Sequence, residues 1–212
     1  MFRDREDAGT QLAQKLKAYR DTQAVVLALP RGGVVVGERV ASDLSLPLDI
    51  VVTRKVGHPT NPEYAICAVD EHGTRLCNEA ESAGVDKHWL EQAFAREQQE
   101  AGRRVALYRS GRVPITLAGK TVIIVDDGIA TGLTMRLAIK AVRTQNPACI
   151  VVAVPVVPSD IAMKIKREAD ELVVLEPPEE FSGAVGVHYK RFPQVEDDEV
   201  IRLLDSVYRP MV

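Results

Sequence analysis

The sequence predicts an α/β protein with a central, mostly parallel sheet flanked by helices. Three observations predict it. Short runs of β-branched and aliphatic residues, Ala24–Leu29, Val122–Val125 and Ile150–Val154, read as strands buried on both faces. Each run is followed by a turn and then by apolar residues at helical spacing. Polar or charged residues gather at the ends of these runs, where open α/β sheets bind ligands.

Length and composition bound the rest. The 212 residues suit one domain with a substantial core, and 46% apolar with 27% charged residues is ordinary for a globular chain. A formal net charge of -3 gives no electrostatic reason to expect nucleic acid or an acidic membrane as partner. The first residues, Met1 to Glu6, contain no apolar signal core, and no run approaches a membrane span, so a cytoplasmic protein is expected. Three cysteines (Cys67, Cys77 and Cys149) have no metal spacing, and their odd number argues against a disulfide framework; packing in a reducing compartment is the expectation. His58, His72, His88 and His188 are dispersed.

Taken in order, residues 3–20 carry Ala8, Leu12, Leu16 and Tyr19 at a period near four, an amphipathic covering helix. Strand Ala24–Leu29 ends in Pro30-Arg31-Gly32-Gly33, where two glycines permit close approach to an anion and Arg31 offers a fork of donors; a helix is expected from Val34 to Leu44. Leu48–Thr53 reads as the second core strand, closed by the cations Arg54 and Lys55. The turn-rich stretch Gly57 to Pro62 precedes a hairpin of Ile66–Val69 with Arg75–Cys77. Residues 86–108 form a long helix with Trp89 as a packing anchor. Beyond the run at 150–154 come a helix near 159–169 and the strand Leu172–Leu175. The tail breaks this rhythm, with a last strand expected at Ala184–Tyr189 and a helix at 197–207. The division expected is a single domain with its core at about 24–175, an insertion at about 56–114 and a C-terminal element at about 176–212.

The richest stretch lies directly after Val122–Val125. Asp126 and Asp127 stand at the strand's end, and Gly128-Ile129-Ala130-Thr131-Gly132-Leu133-Thr134 leads into a helix. Glycines let N–H groups close around an oxyanion, and a helix start adds unpaired N–H groups and positive dipole. The hydroxyls of Thr131 and Thr134 are further donors. Carboxylates repel phosphate and accept from hydroxyls, so the pattern describes a site for a sugar phosphate. A Walker loop would need Gly-Lys-[Ser/Thr], and a dinucleotide fold would need glycines directly after the strand; neither is present.

This stretch resembles the phosphoribosyl pyrophosphate (PRPP) signature of the type I phosphoribosyltransferases, and the chain looks most like the uncharacterised predicted members of bacteria and archaea. The resemblance implies that Asp126 and Asp127 hold the ribose hydroxyls and residues 128–134 wrap the 5-phosphate. Pro30-Arg31-Gly32-Gly33 resembles the family's pyrophosphate loop, which often holds a cis peptide; the matching bond is Pro30–Arg31. Arg54 and Lys55 resemble the Arg-Lys pair that contacts pyrophosphate in adenine and orotate enzymes. A C-terminal hood would supply an aromatic against the base, with Phe181 or Tyr189 as candidates.

The implied reaction displaces pyrophosphate from PRPP by a nitrogenous base. Mg²⁺ is the implied cofactor, touched by Asp126 and Asp127 through water or the ribose hydroxyls, and a homodimer the implied assembly. A PRPP-binding sensor without transfer activity is the alternative. Where hypoxanthine and guanine enzymes carry an aspartate in the phosphate loop, this sequence has Ala130. The loop and Thr53-Arg54-Lys55 lean instead toward the adenine enzymes.

Overall fold

A computed structural model describes residues 1–207. The chain begins with α1 (Arg5–Lys15), β1 (Val25–Ala28), α2 (Gly32–Leu44) and β2 (Leu48–Ile50). A second unit then holds β3 (Thr53–His58), β4 (Asn61–Asp70), β5 (Arg75–Cys77), the short α3 (Glu79–Ser82) and α4 (Lys87–Arg109). The chain returns through β6 (Thr121–Val125), α5 (Leu133–Arg143), β7 (Cys149–Val154), α6 (Ser159–Glu168), β8 (Glu171–Val174) and α7 (Asp197–Val207). Asp4 caps α1 by accepting from the Asp7 N–H, and Asp86 caps α4 by accepting from the Trp89 N–H.

The main sheet is five-stranded and parallel, in the order β2-β1-β6-β7-β8. Residue alternation sorts its side chains to two faces. Val26, Ala28, Ile123 and Val125 pack with Val36, Val40 and Leu44 of α2 and with Leu12 of α1. Val25, Leu27, Val122 and Ile124 pack with Met135, Ala138 and Val142 of α5 on the other face. Each such aliphatic side chain contributes about 1.5–3 kcal/mol on burial, which makes the strand ends a rigid base. The connection β1-α2-β2 therefore winds along one face and away from β6. The connection β6-α5-β7 winds along the opposite face and in the opposite direction. The carboxyl ends of β1 and β6 part at a topological switch point, where a crevice opens.

The second unit is a three-stranded antiparallel sheet, β3-β4-β5, backed by α4. Val56, Ile66 and Val69 pack on Ala93 and Phe94, with Trp89 against them as the expected anchor. The other face of this sheet, through Ala65 and Ala68, meets Leu133 and Leu137 of α5.

Four expectations are corrected. The second core strand stops at Ile50, and Thr53 already belongs to β3, paired with Asp70. The stretch from Gly57 to Pro62 is mostly strand, closed by Pro59 and Thr60; a Cβ on Gly57 would lie 2.0 Å from the Pro62 carbonyl oxygen. Ala184–Tyr189 is not a strand: Val185–His188 forms a 3-10 turn, and the segment's ladder contact is an isolated bridge between Tyr189 and Phe2. Val185 is held there against Gly128. Finally, Cys67 and Cys77 form a disulfide, because the β4–β5 register sets them opposite one another; Cys149 is free. An odd total says nothing about two cysteines that a hairpin brings together. No helix among the described residues is long and apolar enough to cross a membrane.

On α4, Glu100 accepts from Arg103 and Arg104, and these hydrogen bonds hold its carboxyl down at about 2 against the desolvation of partial burial. A depressed carboxyl stabilises the fold above its unfolded value and loses that contribution as pH falls toward 2. Glu100→Gln is expected to lower the melting midpoint at pH 7 by roughly 2–4 °C. Below pH 2 its melting curve should converge on that of the unsubstituted protein.

Candidate functional site

The two loops at the switch point are joined at their roots. Leu29 N–H donates to the Val125 carbonyl, extending the β1–β6 ladder to the last residue before each loop. The Pro30–Arg31 bond is cis, as the family resemblance implies. Gly32 and Gly33 then open α2. Their role is more specific than general room for an anion. A Cβ on Gly32 would lie 1.9 Å from Oδ2 of Asp127, and one on Gly33 would lie 2.8 Å from Oδ1 of Asp126. The glycines are where the acid pair docks against the start of α2.

Asp126 accepts the Asp127 N–H at 2.8 Å through Oδ1. Burial raises the carboxyls of both residues above the ordinary range; the neighbouring Asp127 charge pushes Asp126 further up, and Arg5 opposes the rise at Asp127. Arg5, which the sequence reading did not single out, is bound to this pair. It lies 2.7 Å from Asp127 Oδ2 through Nε and donates to the Pro193 carbonyl through Nη1. Its guanidinium lies 3.7 Å from the centre of the Phe192 ring. The signal was present: Arg5 stands three residues before Ala8 and seven before Leu12, a cation on the apolar stripe of α1.

Beyond the acid pair, Ile129 and Leu133 turn inward as buried anchors, and Ile129 N–H donates to Val156. Ala130 and Thr131 stand at the loop tip, both exposed. Gly132 adopts φ +78° with Ile161 pressed against it, a position that suits glycine alone. Among the described residues, the N–H groups of residues 130 through 134 donate to no protein acceptor. They run together into the first turn of α5, whose dipole favours negative charge. The result is a backbone cradle shaped for an oxyanion. Thr134 offers its hydroxyl beside it, and Thr53 Oγ1 donates to the Thr134 carbonyl at 3.3 Å.

The predicted cations are not gathered at one point. Strand alternation places Arg54 and Lys55 on opposite faces of β3. Arg54 pairs across from Val69, on the face that meets α4, and its guanidinium is held by Glu97 at 2.9 Å. Lys55 pairs across from Ala68, on the face that meets the start of α5, with Glu63 at 2.6 Å. Arg31 is 3.7 Å from both Glu196 and Asp197 beside α7. The candidate aromatics are packed rather than presented. Tyr189 is buried, packs on Phe2 and Phe192, and donates its hydroxyl to the Asp127 carbonyl at 2.6 Å. Burial pushes that hydroxyl's pKa upward, so it remains a donor. Phe181 stacks on His188, with ring centres 5.3 Å apart. His188 in turn is bound by Glu176 and accepts from the Ser182 N–H.

Fold and site together define an α/β protein with an acid pair and an anion cradle at a topological switch point. The family model of the phosphoribosyl transferase domain matches residues 3–191, and the chain belongs to that family. It is 41% identical to the protein in the crystal structure of TT1426 from Thermus thermophilus, with a TM-score of 0.79 over 96% of this chain and 97% of that one. Two Mycobacterium tuberculosis proteins, from strains CDC 1551 and H37Rv and each named "Putative phosphoribosyl transferase", are 43% identical over 211 residues. The match covers 99% of this chain and 47% of each of theirs, so the chain spans about half the length of these curated relatives.

Proposed function

We propose that the chain transfers phosphoribose from PRPP to a nitrogenous base and releases pyrophosphate. The observation that carries this reading is the juxtaposition of the acid pair with the free N–H groups of residues 130–134, both at the switch point beside the cis-peptide loop. The cradle binds the 5-phosphate, with Thr131 and Thr134 as further donors. Asp126 and Asp127 accept from the ribose hydroxyls. Arg31, Gly32, Gly33 and Lys55 take the pyrophosphate side. The transition state places positive charge on the anomeric carbon and negative charge on the leaving group, and a cation at Lys55 stabilises the latter.

Among the described residues there is no cluster of three or more His, Cys, Asp or Glu side chains able to hold a metal by themselves. The two carboxylates at the strand end, Asp126 and Asp127, suit Mg²⁺, which prefers hard oxygens and keeps water and substrate oxygens as ligands. When bound, the ion would neutralise the pyrophosphate's charge. Ala130 leaves the loop tip without a basic side chain, which directs attention to adenine-like acceptors over hypoxanthine and guanine.

A PRPP sensor is the second reading, favoured by one observation: Arg31, Arg54 and Lys55 are each paired with a carboxylate. The deciding experiment measures pyrophosphate release from PRPP and Mg²⁺ across adenine, guanine, hypoxanthine, xanthine, uracil and orotate, with a PRPP titration alongside. Release with one base is expected. Tight PRPP binding without release supports the sensor, and no binding overturns both readings.

The two faces of β3 separate its cations. Lys55→Ala is expected to lower kcat about 100-fold, because its charge acts most strongly as the leaving group develops. Arg54→Ala should leave kcat within about threefold and lower the melting midpoint, since it strips a half-buried partner from Glu97. Equal losses of kcat in both would place Arg54 in the site as well.

A further inference from the structure

We infer that Arg5 is a positioning residue for the ribose-binding carboxylate, an inference that rests on the PRPP reading of the site. Three segments distant in sequence meet at its guanidinium. Its Nε binds Asp127 Oδ2 at 2.7 Å, Nη1 binds the Pro193 carbonyl at 2.7 Å, and its plane lies over Phe192. A Cβ on Gly32 would lie 3.0 Å from its Nε, so the pyrophosphate loop packs directly on this ion pair.

The geometry fixes the pose of one carboxylate. Arg5 occupies Oδ2 from the side of α1, and the Asp126 carboxyl lies against the same group. The ion pair holds Asp127 in the rotamer that meets a sugar hydroxyl. The Tyr189 hydroxyl holds the same residue by its backbone carbonyl, so Asp127 is clamped at both ends before a ligand arrives. Arg5 also ties residues 192 and 193 to the acid pair, which makes the C-terminal element part of the ribose site. It is 8% exposed and touches no cradle N–H, so its effect on the ligand passes through Asp127. A lysine could not substitute fully: it is a point donor and cannot span a carboxylate and a carbonyl in the same plane.

The test is a PRPP binding titration and steady-state kinetics on the full chain, with Arg5→Met, Arg5→Lys and each combined with Asp127→Asn. Arg5→Met is expected to weaken PRPP binding and raise its KM at least tenfold, with a smaller change in kcat. Arg5→Lys should recover part of that loss while melting close to the unsubstituted protein. In the Asp127→Asn background either substitution should change PRPP affinity less than twofold, because its route of action is already gone. A purely structural role would lower the melting midpoint and leave PRPP KM unchanged, and that result overturns the inference. So would additive effects with Asp127→Asn. If Arg5→Met fails to fold, Arg5→Lys decides by the same criteria. Failure of the unsubstituted protein to bind PRPP would instead overturn the functional reading, which keeps the two failures distinct.

Discussion

The double substitution Asp126→Asn with Asp127→Asn is expected to reduce PRPP-dependent pyrophosphate release by about three orders of magnitude or more. An asparagine keeps the shape but trades an acceptor oxygen for an amide donor and removes the negative charge facing the cation-like sugar. The single variants should separate function from stability. Burial makes the charged form of Asp126 unfavourable, and its raised carboxyl lowers stability as pH rises toward neutrality. Asp126→Asn should therefore lose activity about 100-fold while melting at or above the unsubstituted protein at pH 7. Asp127→Asn leaves Arg5 charged in a nearly enclosed position and should cost about 3 kcal/mol of stability. Activity assays and thermal melts on the three variants read both effects. Normal turnover by the double variant would remove the ribose assignment, and a lower melting midpoint for Asp126→Asn would show that its charge is not the burden described.

Gly32→Ala should have the second largest effect. The added Cβ would sit 1.9 Å from Asp127 Oδ2, well inside contact distance, and the carboxylate cannot retreat because Arg5 holds that same oxygen. Relief requires moving α2, the ion pair or the acid pair. Overpacking of this kind costs about 1–3 kcal/mol. Displacing a substrate-orienting group by about 1 Å can cost 100-fold in rate. Gly33→Ala meets Asp126 at 2.8 Å and its backbone at 2.9 Å, so it should be damaging as well. Gly84→Ala, on open surface with no neighbour within 4 Å, is the control and should change neither rate nor melting. Full activity in Gly32→Ala would mean that the acid pair does not need its observed position.

Much of this was legible in the chain because local rules governed it. Val122–Val125 announced a strand buried on both faces, and Asp126, Asp127, Gly128 and Gly132 announced the turn at its end that leads into a helix. A strand, a tight turn and a helix start are all set by neighbours in sequence. The cis bond at Pro30–Arg31 was implied by the family resemblance. The features that escaped depended on contacts across the chain. The Cys67–Cys77 pairing required the β4–β5 register. The separation of Arg54 from Lys55 required knowing that Thr53 starts a new strand, since adjacent residues share a locale only where the backbone is not extended. Tyr189 was read as a candidate base platform, but its hydroxyl reaches 62 positions back to Asp127. Arg5 reaches 122 positions forward. A charge on an apolar helical stripe was the one local sign of such a partnership.

The hydrogen bond from Leu29 to Val125 makes the two loops behave as a ruler. Both grow from neighbouring strands whose separation is set by the ladder at about 4.8 Å, a length that side chains cannot adjust. The interval between the loop after β1 and the loop after β6 is thus a property of backbone pairing, shared by any sequence that forms this junction. Evolution can change what stands on either side of the gap, while the gap itself stays with the backbone.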